Sequence, residues 1–126
     1  MALQESGEMY LETILILSQR SSLVRAVDVG EYMGFSRPSV SRAVGVLKKG
    51  NFITVEEDGN LRLTDAGRAV AEKIFSRHQV LTQLLTRLGV DPKVAAEDAC
   101  RMEHVISDET FAAIRNYVKD KPENVF

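Results

Sequence analysis

The first third of the chain carries apolar residues at helical spacing, interrupted twice by turn signals. Residues 8–20 contain no Gly or Pro and place apolar positions on one face, which predicts an amphipathic first helix. A second, short helix is predicted over residues 26–33, because Gly34 follows it and glycine commonly ends a helix. Ser36 is then the predicted cap of a third helix, with Pro38 in the first turn, where its missing N–H costs nothing.

Beyond Gly50 the spacing changes from helical to alternating. Residues 52–55 and 61–64 lie on either side of a turn that contains Asp58-Gly59, a pattern typical of a β-hairpin. A short helix, a turn with glycine, a basic helix and a hairpin follow one another in the order of a winged helix-turn-helix. The front of the chain is therefore predicted to bind DNA.

Helical spacing returns after the hairpin. Thr64 or Asp65 is expected to cap a long helix that reaches Gly89, about 24 residues later. A further helix is predicted through about Ile106, and Ser107 opens the last one. The back of the chain is therefore predicted to be helical throughout.

These elements define a mainly α fold, in which an N-terminal winged helix-turn-helix is followed by a helical dimerisation domain. We expect the DNA-binding domain to cover residues 1–72 and the helical domain to cover residues 73–126. The chain is 44% hydrophobic, which is ordinary for a globular protein with its own core. Because the helical domain is small, we expect it to complete its burial in a homodimer.

The charge, the single cysteine and the amino terminus limit the class of protein. A net charge of −2 argues against a protein that coats nucleic acid, since such binding neutralises many phosphates at once. Cys100 is the one cysteine, so no internal disulfide forms and a reducing compartment fits. Residues 1–12 carry acids ahead of any apolar run, and no run approaches the roughly 20 residues needed to span a bilayer. We expect a cytoplasmic protein without a membrane partner.

The predicted third helix and the hairpin carry the candidate DNA contacts. The helix holds basic and hydroxyl residues and no acid, so its first half is expected to reach base edges in the major groove of double-stranded operator DNA. The end of the helix and the hairpin are better placed to neutralise phosphates. The candidates are Ser36, Arg37, Pro38, Ser39, Ser41, Arg42, Lys48, Lys49 and Arg62. Each alone is equally consistent with an ordinary solvated position, and only the order of the elements together with the charge favours DNA binding.

Three different metal donors occur together near the end of a predicted helix. Cys100, Glu103 and His104 are spaced i, i+3 and i+4, so a thiolate, a carboxylate and an imidazole are expected on one helix face. Divalent transition metals accept this mixed set, and a thiolate favours iron, zinc or cobalt over magnesium or calcium. Singly, a Cys is usually a small core residue and a Glu a solvated charge. The three together favour a metal site in the helical domain.

Further donors lie earlier in the chain. Met9 and Glu12 are one turn apart on the predicted first helix, where a thioether and a carboxylate complete a metal site if the two helices touch. His78 on the long helix is another donor. Ordinary roles stay open, since Met9 is equally suited to core packing and Glu12 to a solvated position.

Taken together, these motifs resemble the diphtheria toxin repressor family, which includes iron-dependent repressors and manganese transport regulators. The resemblance spans nearly the whole chain, and its last motif is highly specific. It rests on EMYLE at 8–12, SRPSVS at 36–41, LTDAG at 63–67, RH at 77–78 and ACRMEHVISDE at 99–109.

In this family the Met of the first helix and the Cys-containing motif supply the primary metal ligands, which the resemblance transfers to Met9, Cys100, Glu103 and His104. The Met and the Cys are those of iron repressors, whereas Glu12 matches the manganese branch. The resemblance therefore implies Fe²⁺ or Mn²⁺ as the cofactor and leaves the choice open. Zn²⁺, Co²⁺ or Ni²⁺ are expected to bind in vitro as well.

The iron repressors also have an ancillary metal site, for which the resemblance is incomplete. His78 matches one of its ligands, but Thr82 and Ala96 stand at the positions of two others. An ancillary site of that design is therefore not expected. The alternative is that His78 joins Glu12 and the helix of Cys100 in a two-metal cluster similar to that of the manganese branch.

The resemblance implies a metal-dependent transcriptional repressor, not an enzyme, that controls metal homeostasis and binds operator DNA as a homodimer. The larger iron repressors continue into an SH3-like domain, which we expect this shorter chain to lack. One alternative is a winged-helix regulator that responds to a small organic ligand or to thiol oxidation and binds DNA without metal. A small metalloenzyme is a second alternative, against which stands the lack of a second polar cluster in the sequence.

Overall fold

The computed structural model describes residues 4–120, which form six helices and one two-stranded sheet. The elements are α1 (Glu5–Arg20), α2 (Ala26–Met33), α3 (Arg37–Lys49), β1 (Ile53–Val55), β2 (Leu61–Leu63), α4 (Asp65–Arg87), α5 (Pro92–Met102) and α6 (Asp108–Asp120). This order confirms the predicted mainly α fold with a winged helix-turn-helix at its front. The chain divides into two compact units between Lys73 and Ile74. Among the described residues, no helix is both long and apolar enough to cross a membrane.

The turn between α2 and α3 forms where the sequence predicted it. Gly34 ends α2 with a φ of 73°, a left-handed conformation that favours glycine, and its N–H donates to the Gly30 carbonyl at 2.8 Å. Ser36 caps α3, since its Oγ accepts from the N–H of Ser39, and Pro38 lies in the first turn. The third helix therefore starts directly after the second.

β1 and β2 form the predicted antiparallel hairpin. Ile53 lies opposite Leu63, and Val55 lies opposite Leu61. Ile53 and Leu61 are 1% and 3% exposed, so these two side chains tie the hairpin to the core. Gly59 adopts a φ of 88° in the connecting turn, where a side chain would be strained.

A buried asparagine joins the hairpin to the segment ahead of α2. Asn60 is 6% exposed, and its Oδ1 accepts from the N–H of Val24 at 2.8 Å. The N–H of Leu61 donates in turn to the Val24 carbonyl at 2.7 Å. Because buried hydrogen bonds are costly to break, these bonds fix the base of the hairpin to the first unit.

The start of α4 packs closely against the end of the loop that precedes β1. The Oγ1 of Thr64 accepts from the N–H of Gly67 at 3.1 Å, so Thr64 rather than Asp65 caps the helix. The N–H of Thr64 donates to the Phe52 carbonyl at 3.0 Å. A Cβ on Gly67 would lie only 1.9 Å from that same carbonyl oxygen, so this close approach requires glycine.

The core of the first unit takes apolar side chains from every helix and from the hairpin. Leu11, Ile14, Val29, Leu47 and Ile53 are each at most 1% exposed. Burial of such side chains is the main stabilising contribution to the unit. It also fixes which face of α3 points outward.

The second unit consists of the later part of α4 with α5 and α6. Asp91 caps α5, since its carboxylate accepts from the N–H of the residue after Pro92 at 3.1 Å. Ala95 and Ala99, one turn apart on α5, are fully buried. Arg87 Nη1 donates to the Val118 carbonyl at 2.9 Å and so links α4 to α6.

α5 ends at Met102, and the prediction that it continues to about Ile106 was wrong. Glu103 is the C-cap, and a turn follows it. Ser107 caps α6, because its Oγ accepts from the N–H of Thr110 at 3.0 Å. A capping residue leaves the helical conformation, so the chain must turn before Ser107.

Candidate metal centre and nucleic-acid interface

A buried carboxylate lies between two imidazoles in the second unit. Oε2 of Glu103 is 2.9 Å from Nδ1 of His78 on α4, and Oε1 is 3.4 Å from Nε2 of His104. The side chains of Glu103 and His104 are fully buried, and that of His78 is 29% exposed. The fold thus brings together three of the predicted metal-ligating residues.

The Glu103 carboxylate fits a cation-binding role. Its Oε1 atom is buried and has no hydrogen-bond partner among residues 4–120, and a buried polar atom in that state costs on the order of 1–3 kcal/mol. A divalent cation held by Oε1 and by nearby imidazole nitrogens would satisfy this oxygen. Carboxylate and imidazole are ligands that iron and manganese accept.

Cys100 lies in the last turn of α5 and is half-buried. Because α5 ends at Met102, Glu103 is a helix cap and His104 lies in the following turn. The predicted arrangement of Cys100, Glu103 and His104 on one helix face is therefore corrected to a helix end that carries the three donors in order. Cys100 remains a candidate ligand one helical turn before Glu103.

Arg77 fixes the turn that carries the metal donors. Its Nη1 donates to the carbonyls of Glu103 at 3.0 Å and Ile106 at 2.9 Å, and its Nη2 donates to Asp108. The guanidinium also lies over the ring of Phe111, at 5.4 Å from the centroid. In the sequence, Arg77 stood out only as part of the motif at 77–78. Its hydrogen-bond partners lie 26 to 31 residues further along the chain, and no local sequence pattern indicates contacts over that distance.

The two earlier candidate ligands lie on α1, in the first unit. Glu12 is 8% exposed, which is unusual for a glutamate. Met9 is half-buried, and its carbonyl accepts from Oγ1 of Thr13 at 2.9 Å. Both residues lie within one turn of the helix, as the sequence predicted.

Thr82 and Ala96 lie on α4 and α5. Oγ1 of Thr82 is buried and has no hydrogen-bond partner within residues 4–120, and Ala96 is half-buried. Neither side chain carries a carboxylate or an imidazole. We therefore keep the prediction that an ancillary metal site of the iron-repressor design is absent.

The outward face of α3 carries most of the predicted DNA contacts. Val40 and Leu47 are 2% and 1% exposed and anchor the opposite face. Ser39 is half-buried, while the other candidates are exposed: Ser36, Arg37, Pro38, Ser41, Arg42, Lys48, Lys49 and Arg62. Since Ser36 already caps α3, its hydroxyl serves the helix as well as any DNA contact.

The hairpin holds its arginine in an ion pair. Nε of Arg62 lies 2.9 Å from Oε1 of Glu56, and Nδ2 of Asn60 donates to that same oxygen at 2.9 Å. The bond from Asn60, followed by the bond from Arg62, lowers the pKa of Glu56. Glu56 therefore stays charged and offsets part of the charge of Arg62. The pair is exposed to solvent, so its restraint on Arg62 is weak. The sequence did not reveal this contact.

Tyr10 of α1 lies beside the helix-turn-helix. It is 5% exposed, and its ring centroid is 5.9 Å from that of Phe35, with the planes tilted by 60°. Burial raises the pKa of Tyr10, and the positive charge of Arg42 on α3 opposes part of the rise. A tyrosine at an apolar helix position is usually a core residue, which is why the sequence did not single it out.

Two protein-family models together match nearly the whole chain. Residues 2–61 match the model described as iron dependent repressor, N-terminal DNA binding domain. Residues 64–124 match the model described as iron dependent repressor, metal binding and dimerisation domain.

Relatives of known identity support the same grouping. The diphtheria toxin repressor of Corynebacterium diphtheriae is 31% identical over 125 residues, which are 98% of this chain and 55% of the relative. The transcriptional regulator MntR of Escherichia coli O157:H7 is 33% identical over 110 residues, 87% of this chain and 71% of the relative. The solved structure of T. acidophilum IdeR shares the fold, with a TM-score of 0.80 at 23% identity over 94% of this chain and 55% of that one.

The chain spans about half the length of the diphtheria toxin repressors that it matches. The matches nevertheless cover both of its units, and they confirm the resemblance found in its motifs. The chain belongs to the iron-dependent repressor family.

Proposed function

We propose that this chain is a metal-dependent, DNA-binding transcriptional repressor that controls metal homeostasis. The observation that carries the proposal is the buried Glu103 carboxylate between His78 and His104. It lies in the part of the chain that matches a metal-binding and dimerisation domain. The exposed basic face of α3 lies in the part that matches a DNA-binding domain. A metal site and a DNA-binding face in one chain support a sensor rather than a catalyst.

Four residues of the second unit are the proposed core of the metal site. His78, Glu103 and His104 would hold the cation through nitrogen and oxygen atoms, and Cys100 would add a thiolate from the end of α5. Arg77 would keep the turn that carries Glu103 and His104 in place through its bonds to backbone carbonyls.

Met9 and Glu12 are proposed as further ligands on the basis of the sequence motif at 8–12. We propose Fe²⁺ or Mn²⁺ as the cofactor. The thioether and the thiolate favour iron, whereas the carboxylates suit manganese. Co²⁺ and Ni²⁺ would compete in vitro, because the affinity of a nitrogen, oxygen and sulfur site rises from Mn²⁺ and Fe²⁺ through Co²⁺ and Ni²⁺ to Cu²⁺. Zn²⁺ would compete as well, since it accepts thiolate, imidazole and carboxylate ligands.

When bound, the cation would place a positive charge against the buried carboxylate of Glu103. Ligation through Met9 and Glu12 would restrict α1, and α1 belongs to the same unit as α3. Two copies joined through the helical domain would then present two α3 helices at the separation of two DNA half-sites, about one helical turn apart. Without bound metal, the DNA-binding domain of each copy would have to become ordered when it binds DNA, and this ordering has an entropic cost.

We propose that the two domains expected from the sequence have different functions. Residues 1–72 would bind double-stranded operator DNA, and residues 73–126 would bind the metal and a second copy of the chain. A regulator of this kind would act on chromosomal DNA in the cytoplasm.

The test is DNA binding with and without metal. The protein selects duplexes from a random pool, and the selected duplex is labelled and followed by fluorescence anisotropy during anaerobic titration with Fe(II) or Mn(II). We expect metal to raise DNA affinity by about 5–150-fold. Glu103→Gln should abolish the response, whereas Glu97→Gln, an exposed residue on α5, should preserve it.

Equal DNA binding with chelator and with metal would contradict the proposal. A response to oxidation of Cys100 in the presence of chelator would instead favour a thiol-sensing regulator. Loss of the response in Glu97→Gln as well as in Glu103→Gln would show that the effect is not specific to the metal site.

A further inference from the structure

The rings of Tyr10 and Phe35 connect α1 to the turn ahead of α3. Their centroids are 5.9 Å apart and their planes are tilted by 60°, a geometry that aromatic pairs favour. Tyr10 is almost completely buried, while Phe35 is 44% exposed. The buried ring of α1 thus supports the partly exposed ring of the turn.

Each ring lies next to residues to which a function has been proposed. Tyr10 directly follows Met9 and lies two residues before Glu12, both of them proposed metal ligands on α1. Phe35 directly precedes Ser36, the cap of α3. The pair therefore joins a proposed metal-binding segment to the first residue that fixes the position of α3.

The backbone around Phe35 is held firmly. The N–H of Phe35 donates to the Gly30 carbonyl at 3.0 Å, and Gly34 adopts its left-handed conformation just before it. A Cβ on Gly30 would lie 3.3 Å from the Phe35 carbonyl oxygen. A shift of the Phe35 ring would therefore be passed to the turn rather than absorbed by a loose loop.

An open surface groove lies next to the rings. Its volume is about 360 Å³, and it is lined by Ser6 and Tyr10 of α1, by Phe35, and by α3 residues that include Ser39 and Arg42. The ring pair is a specific contact beside this groove, through which the position of α1 can bias the position of α3.

We propose that the Tyr10–Phe35 ring pair passes the ordering of α1 by metal to α3, and that both aromatic rings are needed for metal to raise DNA affinity. This inference rests on the proposed function. It assigns to Tyr10 and Phe35 a positioning role, in which neither side chain contacts metal.

The experiment compares Tyr10→Leu, Phe35→Leu and the double variant with the natural protein. Mn(II) is the probe, and three quantities are measured for each protein: DNA affinity with chelator, DNA affinity with Mn(II), and Mn(II) affinity without DNA. Tyr10→Phe keeps the ring. Tyr32→Leu is the matched control, because Tyr32 is an exposed aromatic residue of α2 that contacts Arg20.

We expect each leucine variant to reduce the gain in DNA affinity caused by Mn(II) by about two- to tenfold, the worth of one aromatic pair. The double variant should lose no more than either single variant, since both remove the same contact. DNA affinity with chelator and Mn(II) affinity without DNA should stay near natural values, a pattern that simple loss of stability would not give. Tyr10→Phe and Tyr32→Leu should respond to Mn(II) like the natural protein.

The inference is overturned if both leucine variants keep the full Mn(II) response, or if their losses add in the double variant. If the natural protein itself shows no Mn(II) response, the proposed function fails and the inference fails with it. A full response in the natural protein and in both leucine variants would overturn the inference alone. Because Phe35 is partly exposed, Phe35→Leu remains informative even if Tyr10→Leu does not fold.

Discussion

Nδ1 of His78 lies 2.9 Å from Oε2 of Glu103, although 25 residues separate the two along the chain. The imidazole comes from the middle of α4, and the carboxylate belongs to the C-cap residue of α5. The pair is the part of the candidate metal centre that sequence spacing could not define. It assigns His78 to the same cluster as His104, which lies 3.4 Å from the other oxygen of Glu103.

His78→Ala should lower Mn(II) affinity by about 10–100-fold, whether His78 binds the metal directly or orients the Glu103 carboxylate. Equilibrium dialysis with Mn(II) measures the affinity and also the number of ions bound. Gln79→Ala, an exposed neighbour on α4, should leave both unchanged. An unaltered Mn(II) affinity in His78→Ala would remove His78 from the site.

Arg77→Lys should weaken metal binding although the positive charge is kept. Arg77 reaches two carbonyls through Nη1 and a carboxylate through Nη2. A lysine also has three N–H donors, but they radiate from a single nitrogen and cannot reproduce this planar fork. We expect Mn(II) affinity to fall about tenfold and the free energy of unfolding to fall by about 1–3 kcal/mol. The measurements are dialysis and urea denaturation.

Arg87→Lys is the matched control for Arg77→Lys, since Arg87 also lies on α4 and donates to a backbone carbonyl, that of Val118. It should reduce stability but not metal affinity. Equal losses of metal affinity in the two variants would mean that Arg77 acts on stability alone.

Glu56→Gln should increase DNA binding that does not depend on sequence. The glutamine keeps an acceptor for Asn60 but releases Arg62 from its ion pair. Arg62 is then more available for a phosphate, so the slope of log affinity against log salt concentration should steepen by at most about 0.9, the value for one added phosphate contact. Glu57→Gln removes a charge from the same turn and should change the slope less. Identical slopes in the two variants would argue against a specific restraint on Arg62.

Gly67→Ala should destabilise the first unit, because the new Cβ would lie 1.9 Å from the Phe52 carbonyl oxygen. That carbonyl also accepts from the N–H of Thr64, so it cannot move away without loss. The free energy of unfolding should fall by about 1–3 kcal/mol or more. Gly45→Ala, inside α3 with nothing within 4 Å of the added Cβ, should raise it by about 0.5–1 kcal/mol. Urea denaturation that ranks the two variants the other way would refute this account of Gly67.

Much of the fold follows from signals that act over a few residues. Gly34, Ser36 and Pro38 place the turn and the start of α3, and Asp58-Gly59 places the hairpin turn. Such signals are local, since a cap or a left-handed residue has the same energetic effect in any protein. The end of α5 was predicted wrongly because the helical pattern of apolar residues continues past Met102, while the cap at Ser107 ends it.

The sequence by itself determined the order of the helices and hairpin, the family, and the donor types Cys100, Glu103 and His104, because these depend on residue identity and short spacing. Only the tertiary structure decided that His78 meets Glu103, that Arg77 holds the turn beside them, and that Glu56 restrains Arg62. Those contacts join residues on different elements. The geometry of these contacts depends on how the elements pack against one another. Local sequence patterns do not predict that packing.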